Sequence, residues 1–516
     1  MADSPLDLDK AQPNCGVVGV YNHPRAAVMA YYCLHALQHR GQEAAGIVAR
    51  RIDEASGKPR FRMHKGPGLV ADVFADSKIL EEYLNGTAAI AHNRYSTTGG
   101  SSRRVNIQPF TIRYRLGNLS MAHNGNLTNT RILRQELQQS GAIFQSSTDS
   151  ELFLHLIARS RKTTQIEQIR EALRIARGAY SMTIMTDDML VAARDPHGIR
   201  PLAIGKKLLE NGQYAWFVAS ETCAFDIVGA EYVRDVRHNE IVVIDDETVK
   251  TGKITSYTID DETPCARHCV FEYIYFSRPD SKIFGHSVDK VRRKLGKTLA
   301  EEHPVQADSE DEKVISIGVP DSGNTSALGY AHRSSGLGNN VRYEIGLIRS
   351  HYVGRTFIAP GQDAREFKVK TKFNPVEGVL ANRKVVVVDD SIVRGTTSKL
   401  LLKMMREAGP KELHMRISSP PVTHPCKYGM DFPSREELIA NHYDCDEVQI
   451  GKALTADSLR YLSINKLMEA VPQEEGVGYC DACFTGNYPV QIDMSAVKNV
   501  VEDQQVETYA DTDAGI

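Results

Sequence analysis

Thirteen residues, Val385 to Thr397 (VVVVDDSIVRGTT), carry the densest chemistry in the chain. Four β-branched residues make a buried strand. Asp389 and Asp390 then fall at its carboxyl end, where open α/β sheets bind ligands, and Arg394-Gly395-Thr396-Thr397-Ser398 open the next helix. Such a loop turns backbone N–H groups, hydroxyls and the positive end of a helix toward a phosphate monoester. Carboxylates beside it suit ribose hydroxyls or a hydrated Mg²⁺, which takes one or two protein carboxylates and keeps its waters. The bland alternative is a DD turn followed by an ordinary threonine cap, and the order of strand, acid pair and GTTS argues against it. The G-x-x-x-x-G-K-[ST] of P-loop nucleotide hydrolases is absent.

Cysteine is the second source of chemistry. Cys480-Asp481-Ala482-Cys483 is a C-x-x-C, which on spacing alone leaves a zinc site, a redox pair and two unrelated thiols open. Cys15 alone reads as a small buried hydrophobe, since cysteine more often packs than reacts. Its company changes that. Leu37 to Glu43 (LQHRGQE), His92 to Thr97 (HNRYST), His123 to Asn126 (HNGN) and Ser147 to Glu151 (STDSE) are polar clusters at the ends of apolar, strand-like runs, placed to converge on one pocket. Read singly each is a turn or a cap, and Asn124-Gly125 by itself is a hairpin signal.

These groups need elements to hold them. At 516 residues the chain is long enough for two to five domains with their own cores. A net charge of −3, 25% charged and 41% hydrophobic residues are average for a soluble globular protein, which excludes bulk disorder and a nucleic-acid-coating role. No apolar run reaches the ~20 residues of a membrane helix, and the acidic start MADSPLDLDKAQPN lacks a signal-peptide core. A cytoplasmic protein is expected, and its nine cysteines are too few for a disulfide framework. From Cys15 to about Asp246 short β-rich pieces alternate with helical stretches such as Ala27 to Gln38 and Glu151 to Ile157, which suggests sheets flanked by helices. From about Val314 continuous apolar strands alternate with helices, the pattern of a doubly wound parallel sheet. Thr251 to Arg267 reads as a polar linker, and Ala496 to Ile516 as a disordered acidic tail.

Val385 to Ser398 resembles the phosphoribosyltransferase signature. That resemblance implies binding of phosphoribosyl pyrophosphate, with Asp389 and Asp390 on the ribose hydroxyls and Mg²⁺, and Arg394 and Gly395 to Ser398 around the 5-phosphate. It makes Val319 to Gly323 (VPDSG) the pyrophosphate-side loop with Ser322 as a further Mg²⁺-side ligand. It also makes His351 to Lys372 a basic lid with Arg355, Lys368 and Lys370 as cation candidates. The region from Cys15 to about residue 255 resembles the glutaminase domain of N-terminal-nucleophile amidotransferases, a four-layer αββα sandwich whose mature chain begins at cysteine. Hydrolysing a glutamine amide takes a nucleophile, a base and an oxyanion stabiliser, and a free α-amino group of pKa ~7.7 to 8.0 lets Cys15 supply the first two. The resemblance therefore implies removal of residues 1–14 as a propeptide. It also implies an oxyanion hole of the Asn124 amide and the Gly125 N–H, Arg94 on the substrate α-carboxylate and Asp149 on its α-ammonium.

The order of the two halves resembles the glutamine phosphoribosylpyrophosphate amidotransferase family over roughly Cys15 to Pro489. The expected organisation is a propeptide (1–14), a glutaminase domain (15–255), a phosphoribosyltransferase domain with a C-terminal iron–sulfur segment (256–495) and a tail (496–516). In one branch of that family a [4Fe-4S] cluster is held by cysteines in contexts matched here by Cys269-Val270-Phe271-Glu272-Tyr273, His424-Pro425-Cys426 and Cys480 through Pro489. The implied ligands are Cys269, Cys426, Cys480 and Cys483, with Cys265 as a competing first ligand and Cys33, Cys223 and Cys445 as packing residues. Feedback inhibition by purine nucleotides and a homotetramer are implied as well. Two departures stand out: His238-Asn239 where a glycine usually precedes Glu240, with Asn able to keep the left-handed turn, and Ser350-His351 where a basic residue usually precedes the lid tyrosine. The rivals are a sugar-isomerising synthase sharing the glutaminase half, which DDSIVRGTTS argues against, and a phosphoribosyl-pyrophosphate-sensing regulator without turnover, which would not need Cys15, Arg94, Asn124 and Asp149 together.

Overall fold

The computed structural model describes residues 15–95, 104–350 and 369–492. The expected propeptide, the lid residues Arg355 and Lys368, His351 and the expected tail lie outside these residues.

The first half is two antiparallel sheets stacked face to face. One has seven strands in the spatial order Glu231–Asp235, Ala203–Leu208, Tyr214–Ala219, Gly16–Tyr21, Ala88–Arg94, Ala44–Ile52 and Pro59–Pro67. The other has six, Thr255–Thr258, Glu240–Asp245, Met189–Arg194, Gly178–Thr186, Gly117–Leu127 and Phe110–Tyr114. Strand alternation assigns the faces. Ala88 and Ile90 join Val17, Tyr21, Leu190 and Trp216 between the sheets, while Ala89 and Ala91 face the helix Ala26–Ala36. Helices Thr130–Gln139, Glu151–Arg159 and Gln165–Ile175 cover the other sheet, which completes the helix, sheet, sheet, helix layering.

The boundary differs from the expected one. Thr255–Thr258 pairs with Glu240–Asp245, so the first half continues past residue 255 into the segment read as linker. All four residues of this edge strand are exposed, so no apolar alternation marks it. Asn239 takes φ 59° as anticipated, and its side chain bonds Asp260 O at 3.0 Å and Thr263 Oγ1 at 2.8 Å.

The second half is a five-stranded parallel sheet in the order Val341–Tyr343, Val314–Gly318, Lys384–Asp389, Glu412–Ile417 and Ser458–Tyr461. Both faces are covered, as its continuous apolar strands require. Val386 and Val388 face helices Val288–Glu302 and Gly323–Gly336, while Val385 and Val387 face Thr396–Glu407 and Glu447–Leu454. A separate parallel pair joins Ala266–Cys269 to Val477–Cys480, tying the start of this half to its end. Among the described residues no helix is long and apolar enough to cross a membrane.

Candidate active site

Cys15 precedes the central strand of the seven-stranded sheet and is 8% exposed. The peptide unit that follows it is gripped by side chains on both edges. Asn93 Oδ1 accepts from Gly16 N at 2.7 Å, and Arg40 Nε donates to Cys15 O at 3.3 Å. Asn93 in turn donates to Leu37 O at 2.6 Å, so two of the polar clusters read in the sequence meet at the cysteine. Burial pushes the thiol up to about 11, against the pull of the Tyr95 carbonyl and the Arg94 charge. The Sγ donates to Tyr95 O at 3.4 Å. A thiol held this way is protonated at neutral pH and needs a base before it can attack.

The six-stranded sheet brings the oxyanion candidates. Asn124 is 1% exposed, and neither Oδ1 nor Nδ2 has a hydrogen-bond partner among the described residues. Buried amides are nearly always paired, so an orphaned one marks a place where another group is meant to bind. Gly125 follows at φ 148°, and a Cβ there would stand 2.0 Å from Ala179 O on the neighbouring strand. No residue with a side chain fits there, so the close strand contact requires glycine. Asp149 accepts from Leu127 N at 2.9 Å, which fastens the fourth cluster to the same strand.

In the second half Asp389 and Asp390 lie at the carboxyl end of the middle strand, each 1% exposed. Asp390 accepts from Ser391 Oγ at 2.6 Å and from Ser322 Oγ, which brings the VPDSG loop against the acid pair. Ser322, Asp389 and Asp390 are the oxygen donors a hard cation such as Mg²⁺ takes. Gly395 caps the next helix at φ 82°, with room for no Cβ against Ile439 Cδ1, 2.5 Å away. Thr397 and Ser398 are buried at the helix start and Thr396 is exposed. The Arg394 guanidinium is engaged by Glu437, at 2.9 and 3.2 Å. Lys370 is 3.6 Å from Glu407, near the far end of that helix.

Cys269, Cys426, Cys480 and Cys483 line one small cavity with Ile199, Arg200, Tyr428, Met430 and Tyr488. The strand register sets Cys269 beside Cys480. Burial raises the Cys269 thiol to about 12 and those of Cys480 and Cys483 well above the usual range. Four thiols around an apolar cavity are the donor set of an iron–sulfur cluster, in which metal takes the place of the protons. Cys265 is exposed and outside the cavity; Cys33 and Cys223 are buried, whereas Cys445 is exposed and does not pack as the sequence suggested.

Sequence reasoning missed a buried charge network between these sites. Arg40 is held by Glu221 from the first half and by Glu272 from the second, the latter through Nη1 to Oε2 at 3.1 Å and Nη2 to Oε1 at 2.8 Å. Glu272 also takes Arg200 Nη1 at 3.2 Å, and that same atom lies 3.9 Å from Cys269 Sγ. Burial pushes the Glu272 carboxyl up, but the Arg40 and Arg200 charges outweigh it and leave it below the usual range. The halves also meet at Gly429, where a Cβ would come within 2.9 Å of the Gly125 carbonyl carbon, and at Asn126, which donates to Lys427 O at 3.0 Å.

Residues 92–226 match the family model described as a glutamine amidotransferase domain. Amidophosphoribosyltransferase 1, chloroplastic, from Arabidopsis thaliana is 45% identical, over 99% of this chain and 85% of its own. The amidophosphoribosyltransferase of Bacillus subtilis is 45% identical, over 94% and 95%. That of Methanocaldococcus jannaschii is 44% identical, over 94% and 99%. Among solved structures, glutamine phosphoribosylpyrophosphate amidotransferase from B. subtilis complexed with ADP and GMP superposes with a TM-score of 0.82 at 44% identity, covering 94% of this chain and 99% of that one. A second, described as the allosteric regulatory enzyme of purine biosynthesis, gives 0.83 at 44% identity, with coverage of 94% and 98%. With a cysteine-led sandwich and an acid-pair phosphate loop on one chain, and relatives matched along nearly all of it, the chain belongs to the amidophosphoribosyltransferase family.

Proposed function

We propose that this enzyme converts phosphoribosyl pyrophosphate, glutamine and water to 5-phosphoribosylamine, glutamate and pyrophosphate, the first step of purine (IMP) biosynthesis. The observation that supports it best is the joining, in one chain, of a sandwich led by Cys15 to a parallel sheet carrying Asp389, Asp390 and the Gly395 helix start.

Glutamine is bound by Arg94 at its α-carboxylate and Asp149 at its α-ammonium. Once residues 1–14 are removed, the Cys15 α-amine takes the proton from its own Sγ, which the buried thiol would otherwise keep at neutral pH. Sγ attacks the side-chain amide carbonyl. The oxyanion is held by Asn124 Nδ2–H and the Gly125 N–H, each such donor typically worth ~10²- to 10³-fold in rate. Collapse expels ammonia with the proton returned from the α-ammonium, and water releases glutamate from the thioester. Ammonia passes inside the protein to C1 of the ribose, displacing pyrophosphate. Gly395 to Ser398 hold the 5-phosphate, and Arg394 and Arg355 supply positive charge to the bound substrate. Mg²⁺, where Ser322, Asp389 and Asp390 would hold it, supplies charge neutralisation of the departing pyrophosphate. A [4Fe-4S] cluster on Cys269, Cys426, Cys480 and Cys483 would fasten the end of the chain to its middle. Purine nucleotides act as feedback inhibitors on a cytoplasmic homotetramer.

The test is pyrophosphate release from phosphoribosyl pyrophosphate with glutamine or with ammonia. Cys15→Ala is expected to lose the glutamine reaction alone. Absence of release from wild type with either nitrogen source would remove the reading.

A further inference from the structure

After cleavage before Cys15, the nucleophile is joined to the protein only through its own carbonyl. Its amine and Sγ are then oriented by whatever grips the Cys15–Gly16 peptide unit. Two side chains do so: Asn93 on the Gly16 N–H and Arg40 on the Cys15 carbonyl. Arg40 is 1% exposed and cannot choose its place by solvation, so its position follows from its counter-charges. One of these, Glu221, belongs to the same half. The other, Glu272, belongs to the second half and makes the two-pronged contact with the fork of Arg40. Glu272 has no further choice of position: Ser277 Oγ donates to its Oε2 at 2.8 Å and Arg200 Nη1 lies 3.2 Å from its Oε1. Its turn is held in turn by Arg292, which donates to the Tyr273, Tyr275 and Ser277 carbonyls.

We propose that Glu272 is a positioning residue for the glutamine reaction: reaching across from the second half, it holds Arg40 against the Cys15 carbonyl, so the nucleophile is aligned by the docking of the two halves. The inference rests on Cys15 being the nucleophile. The glutaminase half, though it contains every group that touches glutamine, is set for catalysis only with the second half in place.

The experiment compares full-length wild type, Glu272→Gln, Glu272→Asp, Arg40→Lys and the Glu272→Asp/Arg40→Lys double variant, with Cys15→Ala as reference. Glu272→Gln leaves a buried guanidinium short of a counter-charge; Glu272→Asp keeps the charge and withdraws it by one methylene, so it decides the matter if the first variant does not fold. Pyrophosphate release is read with glutamine and with ammonia. The expected result for Glu272→Asp is a kcat with glutamine roughly tenfold to a hundredfold lower, the loss that an ångström of misplacement brings, with KM for glutamine and the ammonia-dependent rate little changed. Because Glu272 acts through Arg40, the double variant should be no slower than Arg40→Lys alone. An equal fall with both nitrogen sources, no change with glutamine, or losses that multiply in the double variant would each overturn the inference. If Cys15→Ala keeps the glutamine reaction, it is the assignment of the nucleophile that fails instead, and the inference falls with it.

Discussion

Replacing Asn124 by leucine should make the protein more stable and the glutamine reaction much slower. The Asn124 amide is 1% exposed with both polar atoms unpartnered among the described residues, so the folded state bears their desolvation with no hydrogen bond in return. A buried unsatisfied polar group costs about 1–3 kcal/mol, and its replacement by an apolar group of the same shape is neutral to stabilising. Leucine matches asparagine in heavy-atom branching, and its bulkier methyl groups offset part of the relief through tighter packing. Taking about 1–2 kcal/mol of relief, and about 2–4 °C of Tm per kcal/mol for a domain of this size, the first unfolding transition should rise by roughly 2–8 °C. In the mechanism proposed above the same amide donates to the oxyanion, so its loss should lower the glutamine-dependent kcat about 10²- to 10³-fold. Ammonia-dependent turnover should stay at the wild-type rate. The assay pairs thermal unfolding by circular dichroism with the two pyrophosphate-release rates. A variant that melts below wild type would refute the claim that the amide is unsatisfied, and one that keeps its glutamine rate would refute its place in the oxyanion hole.

Gly395→Ala puts a side chain at φ 82° and 2.5 Å from Ile439 Cδ1; with backbone strain of about 1–3 kcal/mol, the KM for phosphoribosyl pyrophosphate should rise equally in the glutamine and ammonia assays. His92 is fully buried, and desolvation first, then the Arg94 charge, lower it to about 3. Its folded value lies below its unfolded one, so the stability it contributes is present above about pH 6.5 and is lost as pH falls toward 3; His92→Asn should shift the acid-unfolding midpoint to lower pH in a circular dichroism titration. In a chain that retains residues 1–14, alkylation of Cys15 by iodoacetamide should climb with pH toward about 11 without levelling near pH 8, whereas the mature chain should level near the pKa of its amine. Anaerobically purified protein should contain iron and sulfide for one cluster per chain, and Cys426→Ser should lose both together.

Much of the site was legible because its chemistry is written locally. The acid pair and the Gly395 turn fall within one strand, loop and helix start, where the strand's apolar run fixes where the carboxylates emerge. The two faces of the valine strand, Val386 and Val388 against Val385 and Val387, follow from the same pattern. The Arg40 network was not legible, since its partners Glu221 and Glu272 lie far along the chain and carry no spacing that links them to Cys15. The edge strand Thr255–Thr258 escaped for the opposite reason: both its faces meet water, so its residues need no alternation. Cys445 was read as a packing residue because cysteine usually is one, a tendency of composition that cannot say which cysteines sit at the surface.

The parallel pair of Ala266–Cys269 with Val477–Cys480 also sets a timetable for synthesis. At about 5–20 residues per second, the ribosome needs roughly 10–40 s to deliver the second strand after the first has emerged. Through that interval the run from Val270 to Phe276, among the most deeply buried in the finished protein, waits without the strand, the cavity wall and the Phe484 ring that will cover it. The nascent chain is therefore most in need of a chaperone not while its first half is folding but while its last two hundred residues are still being made.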